Sequence, residues 1–219
     1  MFTLHNGDCL ERIPPKGNYL RRPAQVKRIR NLSMTKDERD KIIGTARRTK
    51  SLMHREEMEY LCDLADRAPD GAALEIGVYM GASLIAWGLT RYGRGLALGV
   101  DDWSYKDIPE LKTKCNAALQ LAGVGATLFD MTSEEAAKDS LIPNSLSFLF
   151  IDGDHTRKFV EQDIALWIPR LISGGIVVFH DYGRRKNNCA VTEVVDHWNL
   201  HNNWIPLGTQ VTTTAFMKP

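Results

Sequence analysis

Apolar and polar positions change period along this chain. Residues 1–34 hold three prolines and little periodicity, and predict mostly irregular chain. Residues 35–50, "TKDERDKIIGTARRTK", predict a polar helix. Ser51 then fits an N-cap for a second helix, with apolar residues at Leu52, Met58, Leu61, Leu64 and Ala65 and an end near Pro69-Asp70-Gly71. From there short greasy runs alternate with helical patterns. "AALEIG" leads into "ASLIAWGLTRYG", and "GLALGV" into a helix around 108–122. "GATLF" leads into a short helix after Ser133, "SLSFLFI" into a helix to about Ile172, and "GGIVVF" into one from about 189 to 201. The end, "NNWIPLGTQVTTTAFMKP", predicts two strands around a turn.

Buried strands alternating with helices predict an α/β fold, a parallel sheet covered on both faces. Ligands bind such sheets beyond the carboxyl ends of the strands. The five greasy runs end at Glu75, Asp101, Asp130, Asp152 and Asp181, so one rim of the sheet is expected to be acidic. In "LEIGVYMGAS", Gly77 and Gly81 allow a tight turn and a close backbone approach, and a helix N-terminus follows at Ser83. This spacing is not the G-x-G-x-x-G dinucleotide fingerprint, and no Lys-Ser/Thr pair makes a phosphate-binding loop. Glu75 suits a cationic group and Asp101 a ribose diol, so a nucleoside bearing an amino acid satisfies both.

Composition sets the limits of this reading. A chain of 219 residues, 43% hydrophobic and 25% charged, is long enough for one soluble domain with an arm. No apolar run approaches a membrane span, and the N-terminus lacks the apolar stretch of a secretory signal. The four cysteines match no metal or disulfide spacing, which points to the cytoplasm. Charge is uneven: residues 1–50 carry 13 Lys/Arg against 5 Asp/Glu, while the remainder carries 15 against 22. The chain therefore divides into a basic, partly helical arm, 1–50, and a body, 51–219. Tyr19 is the one aromatic among the arm's basic residues, so the arm is expected to be solvated or to pair subunits rather than to grip nucleic acid.

"LEIGVYMGAS", "LGVDDW", "FLFIDGDH" and "GGIVVFHDYG", in this order, resemble class I S-adenosylmethionine-dependent methyltransferases over residues ~55–219. More narrowly they resemble the branch of small-molecule O-methyltransferases that includes macrolide-sugar methyltransferases and cephalosporin hydroxylases. The resemblance implies a Rossmann-like sheet of seven strands, mostly parallel, with the last strand antiparallel. It implies that Glu75, Gly77 and Gly81 hold the methionine part of S-adenosyl-L-methionine, that Ser83 also binds the cofactor, and that Asp101 takes the ribose hydroxyls. Asp130 and Ser133 would lie at the adenine edge, and Trp103 would cover the adenine face. A divalent metal, magnesium or manganese, would sit on Asp152, His180 and Asp181, with Asp152 and His155 serving catalysis and His155 as the general base.

The chemistry agrees with those roles. A sulfonium methyl needs little activation, whereas the acceptor hydroxyl must lose its proton and attack in line. A metal or an imidazole can supply that. The His180-Asp181 pair departs from the two acidic or amide residues usual in metal-dependent relatives, and a histidine favours manganese, iron or zinc over magnesium. A second stretch, "LHNGDCLERIP" at 4–14, is similar to one in adenine and cytosine DNA methyltransferases, but their Pro-Pro catalytic motif does not occur. The expectation is a cytoplasmic methyltransferase acting on a small-molecule hydroxyl, with self-association through the arm. A nucleic-acid methyltransferase and a non-catalytic nucleoside-binding module are the alternatives.

Overall fold

The greasy runs become the strands of one seven-stranded sheet in the computed structural model, which describes residues 34–105, 108, 110–184 and 188–219. Two helices come first, α1 (Lys36–Ala46) and α2 (Arg55–Arg67). Then follow β1 (Ala72–Ile76), α3 (Ala82–Thr90), β2 (Ala97–Asp101), α4 (Leu111–Ala122), β3 (Ala126–Asp130), α5 (Ser133–Ala136) and β4 (Leu146–Ile151). The remainder is α6 (Arg157–Trp167), β5 (Leu171–Phe179), α7 (Val191–Asn202), β6 (Ile205–Gln210) and β7 (Thr213–Met217). The sheet order is β3-β2-β1-β4-β5-β7-β6. β1 to β5 run parallel, and β7 is antiparallel to both β5 and β6.

β4 shows why its run is uninterrupted from Phe148 to Ile151. Successive side chains point to opposite faces. Phe148 and Phe150 join one core with α1, α2, α3 and α4, while Leu149 and Ile151 join the other with α6 and α7. Burial on both faces leaves no polar position in the strand's centre. Register aligns the carboxyl ends: Ile76 lies opposite Val100 and Ile151, and Ile151 opposite Phe179. The chain moves outward from β1 to β3 and then crosses to β4, so the β1–β4 boundary is the switch point where a cleft opens.

The boundary expected at residue 50 moves toward the N-terminus. Thr35 and Glu38 cap α1 reciprocally, at 2.8 and 3.3 Å. Ile43 and Ala46 are fully buried and join the core that contains α3. Residues 36–46 therefore belong to the body; the polar composition of this helix masks a short apolar face. Residues 1–33, including the DNA-methyltransferase-like stretch, lie outside the described residues.

The cap expected at Ser51 also moves. Glu57 accepts the His54 N–H at 2.8 Å, and α2 starts at Arg55. Ser51 accepts the N–H of Met53 at 3.0 Å instead, which leaves Leu52 outside the helix and exposed. The helix expected to reach Ile172 ends at Trp167, because Pro169 follows and β5 begins at Leu171.

Candidate active site

The loop after β1 is built on glycine. Gly77 has φ +85°, and a Cβ there would lie 2.2 Å from the Asp152 carbonyl oxygen. Only glycine lets β1 and β4 release their chains this close together. Gly81 has φ +83° and leads directly into α3, whose first N–H groups have no side-chain cap.

Glu75 does not reach the cavity. It is fully buried one residue before the end of β1 and accepts hydrogen bonds from the Ser83 hydroxyl, at 2.5 Å, and from Trp87 Nε1. Burial pushes its carboxyl up to about 8; the two hydrogen bonds pull the other way, and the charges of Asp152 and Asp101 add to the rise. A group that is neutral at pH 7 and enclosed is a brace between β1 and α3. The expected contact with the cofactor's cation is corrected accordingly, and Ser83, which it holds, does line the cavity.

Asp101 ends β2 at the cavity and accepts the N–H groups of Tyr79 and Trp103, both at 2.7 Å. Burial raises its pKa against those bonds. Asp130 lies opposite it in register, yet its carboxylate pairs with Lys112 at 2.9 Å, away from the cavity. Trp103 packs against the α3 core instead of lining the cavity. Tyr79 and Tyr105 line that wall, edge to face with centroids 5.5 Å apart. Ser133 lines the cavity too; its hydroxyl donates to Asp163 and accepts from Trp167 Nε1 at 2.8 Å.

The ends of β4 and β5 hold the titratable cluster. His155 Nε2 lies 2.7 Å from Asp181 Oδ2, and Arg184 pairs with the other oxygen of Asp181. Asp181 has φ +60° just after β5 ends, so it and His180 leave the strand's alternation and both face the cleft region. His180 is enclosed. Its Nδ1 is 3.0 Å from Asp152 Oδ1 and its Nε2 is 3.5 Å from Glu57 Oε2, in ion-pair range though aligned for no hydrogen bond. Burial would lower its pKa, but the carboxylates of Asp152, Asp181 and Glu57 outweigh that and push it up to about 12.

Among the described residues the side chains whose ligand atoms converge do not include His180, so it is not part of the set the geometry offers a metal. Asp152, His155 and Asp181 instead present one ligand atom each within 4.8 Å of one another. Asp154 turns the chain, accepting the Thr156 N–H at 2.7 Å.

Glu57 was not visible in the sequence pattern. Burial would raise its pKa, but His180, Thr212 and the His54 N–H hold it down at about 2. It also ties α2 to the turn before β7, through the Thr212 N–H at 2.9 Å and its hydroxyl at 2.6 Å. Its spacing on α2 is that of any capping glutamate, and only the fold brings β5 beside it.

Gly77, Tyr79, Ser83, Asp101, Ser133, Asp152, His155, His180 and Asp181 line one cavity of about 820 Å³, whereas Glu57, Gly81 and Glu75 stand behind its wall. The segment Lys50–Met53 and Phe159 also line it. Gly77, Tyr79, Ser83 and Asp101 come to it from the β1 and β2 ends of the sheet, and Asp152, His155 and Asp181 from the β4 and β5 ends.

Residues 74–182 match the family model of a methyltransferase domain. Three solved structures share the fold. TomG of Streptomyces achromogenes, an O-methyltransferase involved in tomaymycin synthesis and seen with S-adenosylmethionine, is 14% identical, with 86% of this chain and 93% of that one covered and a TM-score of 0.59. An O-methyltransferase of Bacillus cereus in complex with S-adenosylhomocysteine is 14% identical, covers 83% and 90%, and scores 0.58. A Podospora anserina methyltransferase bound to S-adenosylhomocysteine is 16% identical, covers 84% and 89%, and scores 0.57.

Proposed function

The chain carries a class I S-adenosylmethionine-dependent methyltransferase domain, and on that premise we propose that it moves the methyl group to a hydroxyl of a small molecule. The observation that carries the reading is one cavity with two kinds of wall. The turn Gly77–Ser83 and Asp101 suit the amino-acid and ribose parts of the cofactor. The dyad of His155 and Asp181, 2.7 Å apart and beside Asp152, suits the acceptor. The names of the structural neighbours, O-methyltransferases among them, favour oxygen as the acceptor atom.

The reaction is an in-line displacement. An acceptor oxygen attacks the methyl carbon, the carbon–sulfur bond breaks, and the electron pair stays on sulfur. The hydroxyl proton passes to the His155 nitrogen that Asp181 does not hold. Burial alone would make that imidazole a weaker base, but the bond to Asp181 and its charge outweigh this and raise the pKa. Asp181 also fixes the ring's orientation. Asp152 adds negative charge beside the imidazolium that forms.

Asp152, His155 and Asp181 make a mixed oxygen and nitrogen donor set, which fits manganese or zinc better than magnesium. A divalent ion held there would lower the acceptor hydroxyl's pKa. No helix among the described residues is long and apolar enough to cross a membrane. Cys62, Cys115 and Cys189 are free thiols, in keeping with a cytoplasmic setting.

The test is methyl transfer from labelled S-adenosylmethionine to a panel of hydroxylated small molecules, with and without divalent ions. His155→Gln and Asp152→Asn should each cost roughly 10²–10⁴-fold in turnover. Their affinity for S-adenosylhomocysteine should change by less than about tenfold. Normal turnover in both variants would move the catalytic groups elsewhere.

A further inference from the structure

One buried carboxylate on the cavity wall has less hydrogen bonding than its charge requires. Asp163, on α6, is 3% exposed. Among the described residues, one donor serves it: the Ser133 hydroxyl, on Oδ1. That hydroxyl is itself fixed by Trp167 Nε1 at 2.8 Å. No cation among the described residues pairs with it. Burial pushes its pKa up to about 6, with the Ser133 bond pulling against the rise, so it is mostly ionised at neutral pH. A buried anion with a single neutral donor is costly unless something else donates to it.

The second oxygen is open to the cavity. A Cβ on Gly153 would lie 3.5 Å from Asp163 Oδ2 and 3.5 Å from Ile76 Cγ2. Glycine at 153 leaves that approach uncovered. Asp163, Ser133 and Met131 all line the cavity: Met131 and Ser133 follow β3, next to the β2 end where Asp101 stands, and Asp163 meets Ser133 there from α6. The dyad of His155 and Asp181 belongs to β4 and β5, across the switch point. A nucleoside whose ribose meets Asp101 would therefore extend its base toward Asp163.

We propose that Asp163 reads the cofactor's base, its Oδ2 accepting a hydrogen bond from the exocyclic amine of adenine. The inference rests on the cofactor assignment above. It assigns to Asp163 a choice between purines, since a carboxylate only accepts and so favours an amine over a carbonyl.

The experiment compares S-adenosylhomocysteine with S-inosylhomocysteine, in which a carbonyl replaces the amine, by calorimetric titration of the full chain. The wild-type protein should prefer the adenine compound by roughly 10- to 100-fold. Asp163→Asn should bring the ratio within about threefold, because the carboxamide can donate to the carbonyl and its oxygen is a weaker acceptor. A merely structural Asp163 would change both affinities together, and an unchanged ratio overturns the proposal. Gly153→Ala is the second variant. Its φ lies outside the left-handed region, and its methyl would cover Oδ2. It should also narrow the ratio, and it decides the matter if Asp163→Asn does not fold. A wild-type protein that binds neither compound overturns the cofactor assignment itself. One that binds both equally overturns the role of Asp163 alone.

Discussion

Replacing Glu75 with glutamine should make the protein more stable, by an amount that grows with pH. Glu75 ionises near 4.5 when unfolded and at about 8 when folded. Between those values the folded state binds the extra proton, so wild-type stability falls as pH rises and levels off above the folded pKa. Each unit is worth ~1.4 kcal/mol, so the interval amounts to roughly 5 kcal/mol, about two thirds of it lost by pH 7. No discount for solvent screening applies, because the side chain is fully buried.

Glutamine reproduces the neutral acid. Its carbonyl can accept from Trp87 Nε1, and its amide can donate to the Ser83 oxygen once that hydroxyl turns. The assay is urea unfolding of both proteins at pH 5, 6, 7 and 8.5. The variant's advantage over wild type should grow steadily and reach ~3–5 kcal/mol by the highest pH. A constant offset at every pH would mean that Glu75 ionises normally and that the brace is an ordinary ion. Affinity for S-adenosylhomocysteine should stay within about tenfold; a hundredfold loss would put Glu75 back on the cofactor.

Asp101→Ala should weaken S-adenosylhomocysteine by roughly 10- to 100-fold in titration calorimetry, the worth of a charge-assisted hydrogen bond to the ribose, and an unchanged affinity would remove Asp101 from the cofactor site. Gly77→Ala should cost more than ~2 kcal/mol and abolish cofactor binding, because φ is +85° and the new methyl would meet the Asp152 carbonyl at 2.2 Å; a wild-type melting temperature would refute this. Removing residues 1–33 should leave the melting temperature near that of the full chain, whereas removing 1–50 strips Ile43 and Ala46 from the core and should cost ~2–4 kcal/mol, so equal melting temperatures for the two truncations would count against the placement of α1.

The sheet was legible in the sequence because its central strands are covered on both faces. "LSFLFI" is buried throughout, and the polar residues at or just past the end of each run mark the rim of the sheet. The helices before β1 were less legible. α1 buries Ile43 and Ala46 against α3, but most of its other residues are polar or charged, so composition conceals its packed face. α2 is capped at His54 rather than Ser51 because a side chain three residues on, Glu57, completes the turn. Both positions carry residues able to start a helix, and only the reciprocal partner separates them.

The site divides along a finer line. Five acidic strand ends look equivalent in the sequence, yet register makes them different. Asp152 follows the last residue of β4 and is free to face the cleft, whereas Glu75 still pairs with Phe150 inside the sheet and is buried there. Asp130 shares its level with Asp101, but Lys112 on α4 draws it outward. One residue of register or one neighbouring cation thus decides between a ligand-facing carboxylate, a brace and a surface ion pair. Asp163 is the limiting case. An aspartate within an amphipathic helix ordinarily faces water. Here α6 packs beside α5 and turns that position toward Ser133 and the cavity. What distinguishes it is a partner 30 residues away in the chain together with a glycine at 153 that exposes its second oxygen, and neither belongs to the periodicity of α6. Its function therefore has to be sought in what it lacks, a second donor, and the purine comparison tests whether the ligand supplies it.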